Sequence, residues 1–431
     1  MSIFKQYDIR GEYPKEINEE IIYKIGRLIP RLLKSKNAVI GYDIRQSSKP
    51  LFRSLINGLS DENTKVISIG NCTTPMLYFA SFNYDFDLAI MITASHLDKN
   101  SNGLKICSKN GVSLGYDEIG KYLEENINKE FKKTNKKFNV KNLNIFKDYS
   151  NFILNNFKKT KLKIIVDSGN MMGYLDVRIL KKIANIKTLF NKPDGSMPNH
   201  LANPAEEKTL KIIKKEIKNN NYNLGIAFDG DCDRAGFLDE KGNIIRADTI
   251  AVFIYEYLYK NLKIIADHRC SKALLEIGNN IIRSPVGHSN IKKNMLKHDA
   301  EFGMELSGHY YFKKFHYLDN ALLAVLLIIQ ILNKENKKIS ELIEPFQKYF
   351  PSEETNFKVK DKDKAVWKVI NSFKNYKKIE KIDGISLYFK DFWFNIRKSN
   401  TEDLLRLTIE ADSKEKLKEI TKIIKNLIKN L

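Results

Sequence analysis

Asp229, Asp231 and Asp233 alternate in the segment Asp229-Gly230-Asp231-Cys232-Asp233-Arg234. Three carboxylates on one tight loop repel each other unless a cation sits among them. An all-oxygen donor set suits Mg²⁺ and not Zn²⁺. A solvated acidic turn is the alternative. Against it, the cluster directly follows the apolar run 224–228, as a ligand loop at a strand end does.

Three further segments carry groups that could do chemistry. In Thr93-Ala94-Ser95-His96, followed by Asn102-Gly103-Leu104-Lys105, a serine ends an apolar run beside a histidine. It can act as a nucleophile or phosphate carrier, or simply cap a turn. Glu305, Ser307 and His309, in Gly303-Met304-Glu305-Leu306-Ser307-Gly308-His309, have the spacing to hydrogen-bond a polyol and move a proton. Arg397-Lys398-Ser399-Asn400-Thr401 offers a guanidinium, hydroxyls and loop N–H groups, the makings of a phosphate cradle.

These segments need elements to hold them. Short apolar runs at 38–42, 88–92, 163–166, 224–228 and 262–266 each end in a polar cluster, among them Asp43 with Arg45 and Asp267 with Arg269. Helical stretches separate them, such as 18–33, 207–217 and 249–259. Buried strands alternating with helices predict an α/β chain with mostly parallel mixed sheets, and in such sheets ligands bind beyond the carboxyl ends of the strands. The end of the chain reads differently. Past a break at Tyr349–Pro351–Ser352 come strand-like runs at 384–389, 393–397 and 404–410. A terminal helix is expected from about Asp412, with Glu415 completing a capping box and Leu417, Ile420, Ile423, Ile424 and Leu427 facing inward. This predicts a smaller C-terminal α+β domain. At about 150 residues per domain, 431 residues suggest three or four domains.

Composition narrows the classes. With 42% hydrophobic and 29% charged residues, the chain can build several cores and is not globally disordered. The longest apolar run, 321–332, is shorter than the roughly 20 residues a bilayer requires and predicts a buried core helix. The N-terminus lacks the apolar core of a signal peptide, so a cytoplasmic protein is expected. Four cysteines without a C-x-x-C pair predict reduced, buried thiols. The net charge of +21 is spread along the chain among Ile and Asn, without a nucleic-acid-binding module. We therefore expect no nucleic-acid or membrane partner, and a field that attracts small phosphorylated substrates.

Taken together and in order, the segments resemble the α-D-phosphohexomutase family nearly end to end. Phe4 to Gly11 (FKQYDIRG) is similar to its opening signature, TASH…NGLK to its phosphoserine loop, and LGIAFDGDCDR to its magnesium loop. Pro193-Asp194-Gly195 with Pro198-Asn199-His200 and Asn203-Pro204 resembles a second-domain signature. GMELSGH resembles the sugar-binding loop and WFNIRKSNTEDLLRL the phosphate-binding loop. Val286 to Lys292 (VGHSNIK) and the apolar Leu306 favour the phosphomannomutase/phosphoglucomutase branch over glucosamine-phosphate mutases, which usually carry glutamine at the latter position.

The resemblance implies four domains around one central cleft, expected at 1–150 (phosphoserine loop), 151–250 (metal loop), 251–350 (sugar recognition) and 351–431 (phosphate binding). Three are similar α/β domains and the last is α+β. Ser95 would carry the phosphoryl group. Mg²⁺ would be held by Asp229, Asp231, Asp233 and a phosphoserine oxygen. Arg10, Lys105 and His309 would handle protons and charge. Tyr7, Arg234, Arg269, His288, Glu305, Ser307 and His309 would contact substrate. Arg397, Ser399, Asn400 and Thr401 would hold the phosphate that does not react. The implied activity is interconversion of hexose 1- and 6-phosphates, mannose or glucose, through glucose 1,6-bisphosphate or its mannose counterpart as intermediate and activator. The protein would work on small-molecule sugar phosphates as a monomer or homodimer, with a hinge near Pro351. The same chemistry on glucosamine phosphate, or an inactive sugar-phosphate-binding relative, are the alternatives.

The chain departs from the family pattern in places. Leu97-Asp98 follows His96 where Asn-Pro is usual, which puts a carboxylate near a phosphoserine. Arg269 replaces a commoner lysine, Met171 and Met304 replace glycines, and Lys398 and Asp403 stand where proline is common.

Overall fold

Four sheets follow one another along the chain in the computed structural model, which describes residues 2–132, 134, 140–399 and 403–429. In the first, six strands run in the order Ile9–Glu12, Ser101–Ser108, Leu88–Ile92, Asn37–Tyr42, Lys65–Asn71, Lys141–Asn142. The last four are mutually parallel, and the first two are antiparallel to their neighbours. The second and third sheets each have five strands. Lys163–Asp167 lies between Asn185–Leu189 and Leu224–Phe228, and Ile264–Asp267 between Ile281–Ser284 and Phe302–Met304, all in parallel pairs. The fourth sheet is antiparallel and built on Phe392–Lys398 and Leu405–Ala411.

Burial explains the apolar runs. Leu88–Ile92 and Leu224–Phe228 are buried at every position, as expected of strands covered on both faces by helices. The run at 321 is the helix Ala321–Glu335. Asn320 Oδ1 accepts from Leu323 N at its start, and Asn336 closes it in the left-handed region, φ 51°. Among the described residues no helix is long and apolar enough to cross a membrane. All four cysteines are free and buried.

One hydrophobic core runs through the first three sheets, joining Phe79, Ile164, Phe228, Phe302 and Leu326. The fourth sheet has its own, with Phe394, Leu407, Ile420 and Ile424. Charged side chains join it to the third. Arg283 donates to Glu380 and stacks on Tyr388 and Trp393, and Lys272 pairs with Asp412.

The C-terminal part corrects two expectations. The last helix is Lys414–Lys429, and its cap is Ser413, whose hydroxyl accepts from Lys416 N, so Asp412 and Glu415 make no capping box. Leu417 and Leu427 pack against the core with the buried Ile420 and Ile424, but Ile423 is 40% exposed and the buried Ile428 takes its place. Pro351 lies in the short strand Phe350–Pro351, paired to Leu405–Ala411. It is therefore part of the fourth sheet.

Candidate active site

Each of the first three sheets uses the same device. A buried parallel strand ends, the chain turns through a polar loop, and it returns antiparallel alongside. Leu88–Ile92 returns as Ser101–Ser108, Leu224–Phe228 as Ala235–Leu238, and Phe302–Met304 as Tyr310–Phe312. The three loops, at the carboxyl ends of their strands, converge on one another.

Ser95 sits in the first loop with φ 52°, a left-handed conformation that is costly for a residue with a β-carbon. Thr93 Oγ1 accepts from its N–H at 2.9 Å. The side chain is fully buried, and Oγ donates to Asp229 Oδ2 at 2.7 Å. His96 Nδ1 lies 3.3 Å from the same Oγ, and burial, then Arg234 and Arg10, push the His96 pKa well below its ordinary value. Gly230 passes so close that a β-carbon there would stand 2.3 Å from the Ser95 carbonyl oxygen.

The loop is held from behind by Arg45, a fully buried side chain. Its Nη2 donates to Ser95 O (2.9 Å) and Leu97 O (2.7 Å), and its Nη1 to Ser101 O (3.0 Å) and to Asp98 O. Asp43 Oδ2 accepts from Arg45 Nε at 3.1 Å. Asp98 faces away from Ser95. It is exposed, and its Oδ1 accepts from Asn100 N and Ser101 Oγ, closing its own turn.

Asp229, Asp231 and Asp233 each present an oxygen within 4.8 Å of the others, and all three are buried. Lys105, on Ser101–Ser108, reaches Asp231 Oδ2 at 2.6 Å and also pairs with Asp233 Oδ2. Thr74 Oγ1 donates to Asp231 Oδ2 at 2.5 Å. Burial, then the charges of Asp233 and Asp231, push the Asp229 carboxyl well above its ordinary value. Burial acts the same way on Asp233, but Lys105 and His309 outweigh it and hold that carboxyl low. Two buried oxygens are left over among the described residues. Asp231 Oδ1 and Asp233 Oδ1 have no hydrogen-bond partner, although His309 Nε2 at 3.4 Å and Arg234 Nε at 4.0 Å offer charge to the latter. Oxygen donors that converge, are buried and lack partners fit a hard divalent cation. An EF-hand is excluded. Arg234 replaces its sixth-position glycine, and Glu240, at the twelfth position from Asp229, accepts from Ser340 instead.

Arg10, on Ile9–Glu12, donates to Asp8 at 2.7 Å. Burial opposes its charge, but Asp8 and Asp231 keep it above the ordinary value. Arg234 lies 4.0 Å from both Asp229 and Asp233. Its Nε approaches His309 Nε2 at 3.2 Å, and an Arg234–His309 bridge with Ala235 N donating to Gly308 O ties the metal loop to the third loop. His309 Nδ1 stands 2.8 Å from Ser307 Oγ and 3.2 Å from Glu305 Oε2. Burial works against a charge on His309, yet Asp233 prevails and the pKa rises to about 9.

Glu305 is bound on both oxygens, by Gly287 N at 2.8 Å and Tyr311 Oη at 2.5 Å. Gly287 has φ 119°, and a β-carbon there would meet the Tyr7 ring at 2.3 Å. Tyr7 donates to Val286 O and packs edge-on against His288. Both ring nitrogens of His288 are buried without a hydrogen-bond partner among the described residues.

Arg269 and Arg397 form a second centre. Arg269 grips Asp267 through Nε and Nη2, and its Nη1 donates to Glu354 Oε2 at 3.0 Å. Arg397 Nη2 donates to the same oxygen at 3.0 Å. Ser399 N donates to Leu404 O. Asn400 and Thr401 lie outside the described residues. The second-domain signature does not reach the carboxylates; Gly195 packs against the Ile44 carbonyl, next to Arg45.

The sequence did not single out Thr74, Glu354 or Arg406, and it marked Arg45 only as part of a polar cluster. The one local signal for Arg45 was its place just beyond a strand end, beside Asp43.

Profiles of phosphoglucomutase/phosphomannomutase alpha/beta/alpha domains I, II and III and of the C-terminal domain match residues 1–134, 145–242, 246–349 and 354–427. A phosphomannomutase of Methanocaldococcus jannaschii is 40% identical, with 100% of this chain and 98% of that protein covered. One from Escherichia coli K12 is 33% identical over 95% of each chain. The crystal structure of a phosphoglucomutase/phosphomannomutase family protein from Burkholderia thailandensis superposes with a TM-score of 0.90 at 28% identity, covering 100% of this chain and 97% of that one. Four domain profiles in order and full-length relatives fit the three converging loops and the acidic cluster, and the chain belongs to the phosphoglucomutase/phosphomannomutase family of phosphohexomutases.

Proposed function

We propose that this phosphohexomutase interconverts the 1- and 6-phosphates of mannose and glucose through a phosphoryl group carried on Ser95. The single observation that carries the reading is the buried Ser95 Oγ hydrogen-bonded to Asp229 at the edge of the three-carboxylate cluster. Relatives named phosphomannomutase support mannose as one sugar. The reading keeps four domains, one loop from each, in a cytoplasmic monomer or homodimer.

In the forward direction the bond from Ser95 Oγ to phosphorus breaks as one from the substrate's O6 to phosphorus forms. Over the step the O6 proton ends on the Ser95 oxygen that the phosphoryl group leaves, and Arg10, Lys105 and His309 are the candidates for relaying it and for stabilising the charge that develops. Asp229, Asp231 and Asp233, with an oxygen of the phosphorylated Ser95, would hold Mg²⁺, which when bound neutralises charge on the transferring phosphoryl oxygens. Arg45 fixes the loop carbonyls behind Ser95, so the reacting oxygen needs no rearrangement. Glu305 and Ser307 orient sugar hydroxyls, and Tyr7, Arg234 and His288 line the approach. Arg269, Arg397, Ser399, Asn400 and Thr401 hold the other phosphate. The resulting 1,6-bisphosphate turns over and returns its second phosphoryl group to Ser95, and glucose 1,6-bisphosphate primes the unphosphorylated enzyme.

A coupled assay tests this. Mannose, glucose and glucosamine 1-phosphates are compared side by side with Mg²⁺ and a trace of glucose 1,6-bisphosphate. The proposal expects turnover of mannose and glucose substrates, lost on chelation. A preference for the glucosamine substrate would reassign the sugar, and no turnover of any would overturn the activity.

A further inference from the structure

Arg397 and Arg406 face each other directly across the antiparallel pair Phe392–Lys398 and Leu405–Ala411. Like charges at opposed positions repel unless an anion lies between them. Here the anion is Glu354. Its Oε2 takes Arg397 Nη2 and Arg269 Nη1, each at 3.0 Å, and its Oε1 lies 3.3 Å from Arg406 Nη1. One carboxylate thus joins three guanidinium groups from two sheets.

The backbone is shaped to deliver it. Strands Phe350–Pro351 and Thr355–Phe357 both pair with Leu405–Ala411, where Pro351 faces Glu410 and Thr355 faces Leu407. Residues 352–354 therefore oppose only Thr408 and Ile409. A bulge of this kind re-aims a side chain. Arg397, only 2% exposed, still has its Nε without a hydrogen-bond partner among the described residues, so the carboxylate does not saturate the arginines. Burial alone would raise the Glu354 carboxyl, but Arg269, Arg397 and Arg406 hold it below its ordinary value, in keeping with a charged group.

We propose that Glu354 is the resident anion of the phosphate seat: it holds Arg269, Arg397 and Arg406 in place until a phosphate displaces it, and takes them back as the phosphate leaves. The inference rests on the reading above that the Arg397 loop binds the non-reacting phosphate. A phosphate dianion brings more charge and more acceptors than one carboxylate and can engage several guanidinium forks at once. Asp267 stays on Arg269 and Asp383 lies 3.8 Å from Arg397, but Glu354 is the carboxylate that joins all three guanidinium groups when the phosphate departs. With Glu354, the seat exchanges one anion for another, which eases release of a bisphosphate that must turn over. Glu354, between two strands of the fourth sheet, also reaches Arg269, which follows a strand of the third, so the exchange acts on the contact between the two sheets.

The test is calorimetric titration of inorganic phosphate into the full-length protein at low ionic strength. We expect Glu354→Gln to bind phosphate about three- to tenfold more tightly than wild type, as loss of a competing, mostly buried ion pair would give. KM for glucose 1-phosphate should fall without a rise in kcat. Should the glutamine variant not fold, Glu354→Asp keeps the charge, shortens the reach, and should also tighten phosphate. Unchanged or weaker phosphate binding in the folded variant overturns the inference, because a merely structural bridge would not raise affinity. Arg397→Ala separates the two claims. If it leaves phosphate binding intact, the seat itself is misplaced and both fail. If it abolishes binding while the Glu354 variants do not tighten it, only the resident anion fails.

Discussion

Gly230 and Ser95 come from different sheets, yet the Gly230 α-carbon lies where any β-carbon would stand 2.3 Å from the Ser95 carbonyl oxygen. The approach brings the Ser95 hydroxyl onto Asp229. Gly230→Ala must push the loops apart by a fraction of an ångström or more. We expect kcat to fall about 100-fold, the scale set by a 1 Å misplacement of reacting groups. Steady-state kinetics alongside circular dichroism checks this, and near-normal kcat in a folded variant would contradict it.

Arg45 acts as a clamp on the same loop. Replacing it with methionine removes four hydrogen bonds to main-chain carbonyls and the guanidinium paired with the buried Asp43, which keeps Ser48 Oγ and the residue-45 N–H. Breaking a buried pair this way costs about 3–5 kcal/mol of stability. Denaturant unfolding should show that loss, with kcat reduced by more than tenfold in whatever protein remains folded.

Asp98 replaces a residue type usual in related phosphoserine loops, but its carboxylate is spent on its own turn. Asn makes the same turn. Asp98→Asn is expected to keep kcat within about twofold, as surface changes away from the chemistry usually do. A large gain in rate would mean that the carboxylate does oppose the phosphoryl group.

Asp176 is fully buried, neither of its oxygens has a hydrogen-bond partner among the described residues, and burial pushes its pKa up to about 8. The folded chain therefore keeps a proton that the unfolded chain loses near pH 4. Stability from this group is complete below about pH 4 and drains away as pH rises toward 8, by at most about 1.4 kcal/mol per unit. Asp176→Asn has no such proton to hold. Its melting temperature relative to wild type should rise steadily between pH 5 and pH 8, and a pH-independent difference would contradict the assignment.

The sequence made some of this site plain and hid the rest for a physical reason. Asp229, Asp231 and Asp233 are neighbours in one loop, and Ser95 with Lys105 lie either side of one turn, so local spacing already displayed their chemistry. The strand ends were legible because fully buried strands read as continuous apolar runs. Arg45 and Glu354 were hidden because their partners are distant in the chain, at 95–101 and at 269, 397 and 406. Asp98 looked like a conflict because sequence distance to Ser95 is short, but the turn sends it outward. The last helix was misread at its start because Asp412 and Ser413 are both able caps, and only the backbone chooses Ser413.

The central claim is that Ser95 carries the phosphoryl group. Incubation with glucose 1,6-bisphosphate labelled in its phosphates, followed by peptide mass spectrometry, addresses it directly. Label is expected on Ser95, discharged on adding unlabelled hexose 1-phosphate, with no label and almost no turnover in Ser95→Ala. Label on another residue, or full turnover in folded Ser95→Ala, would contradict it.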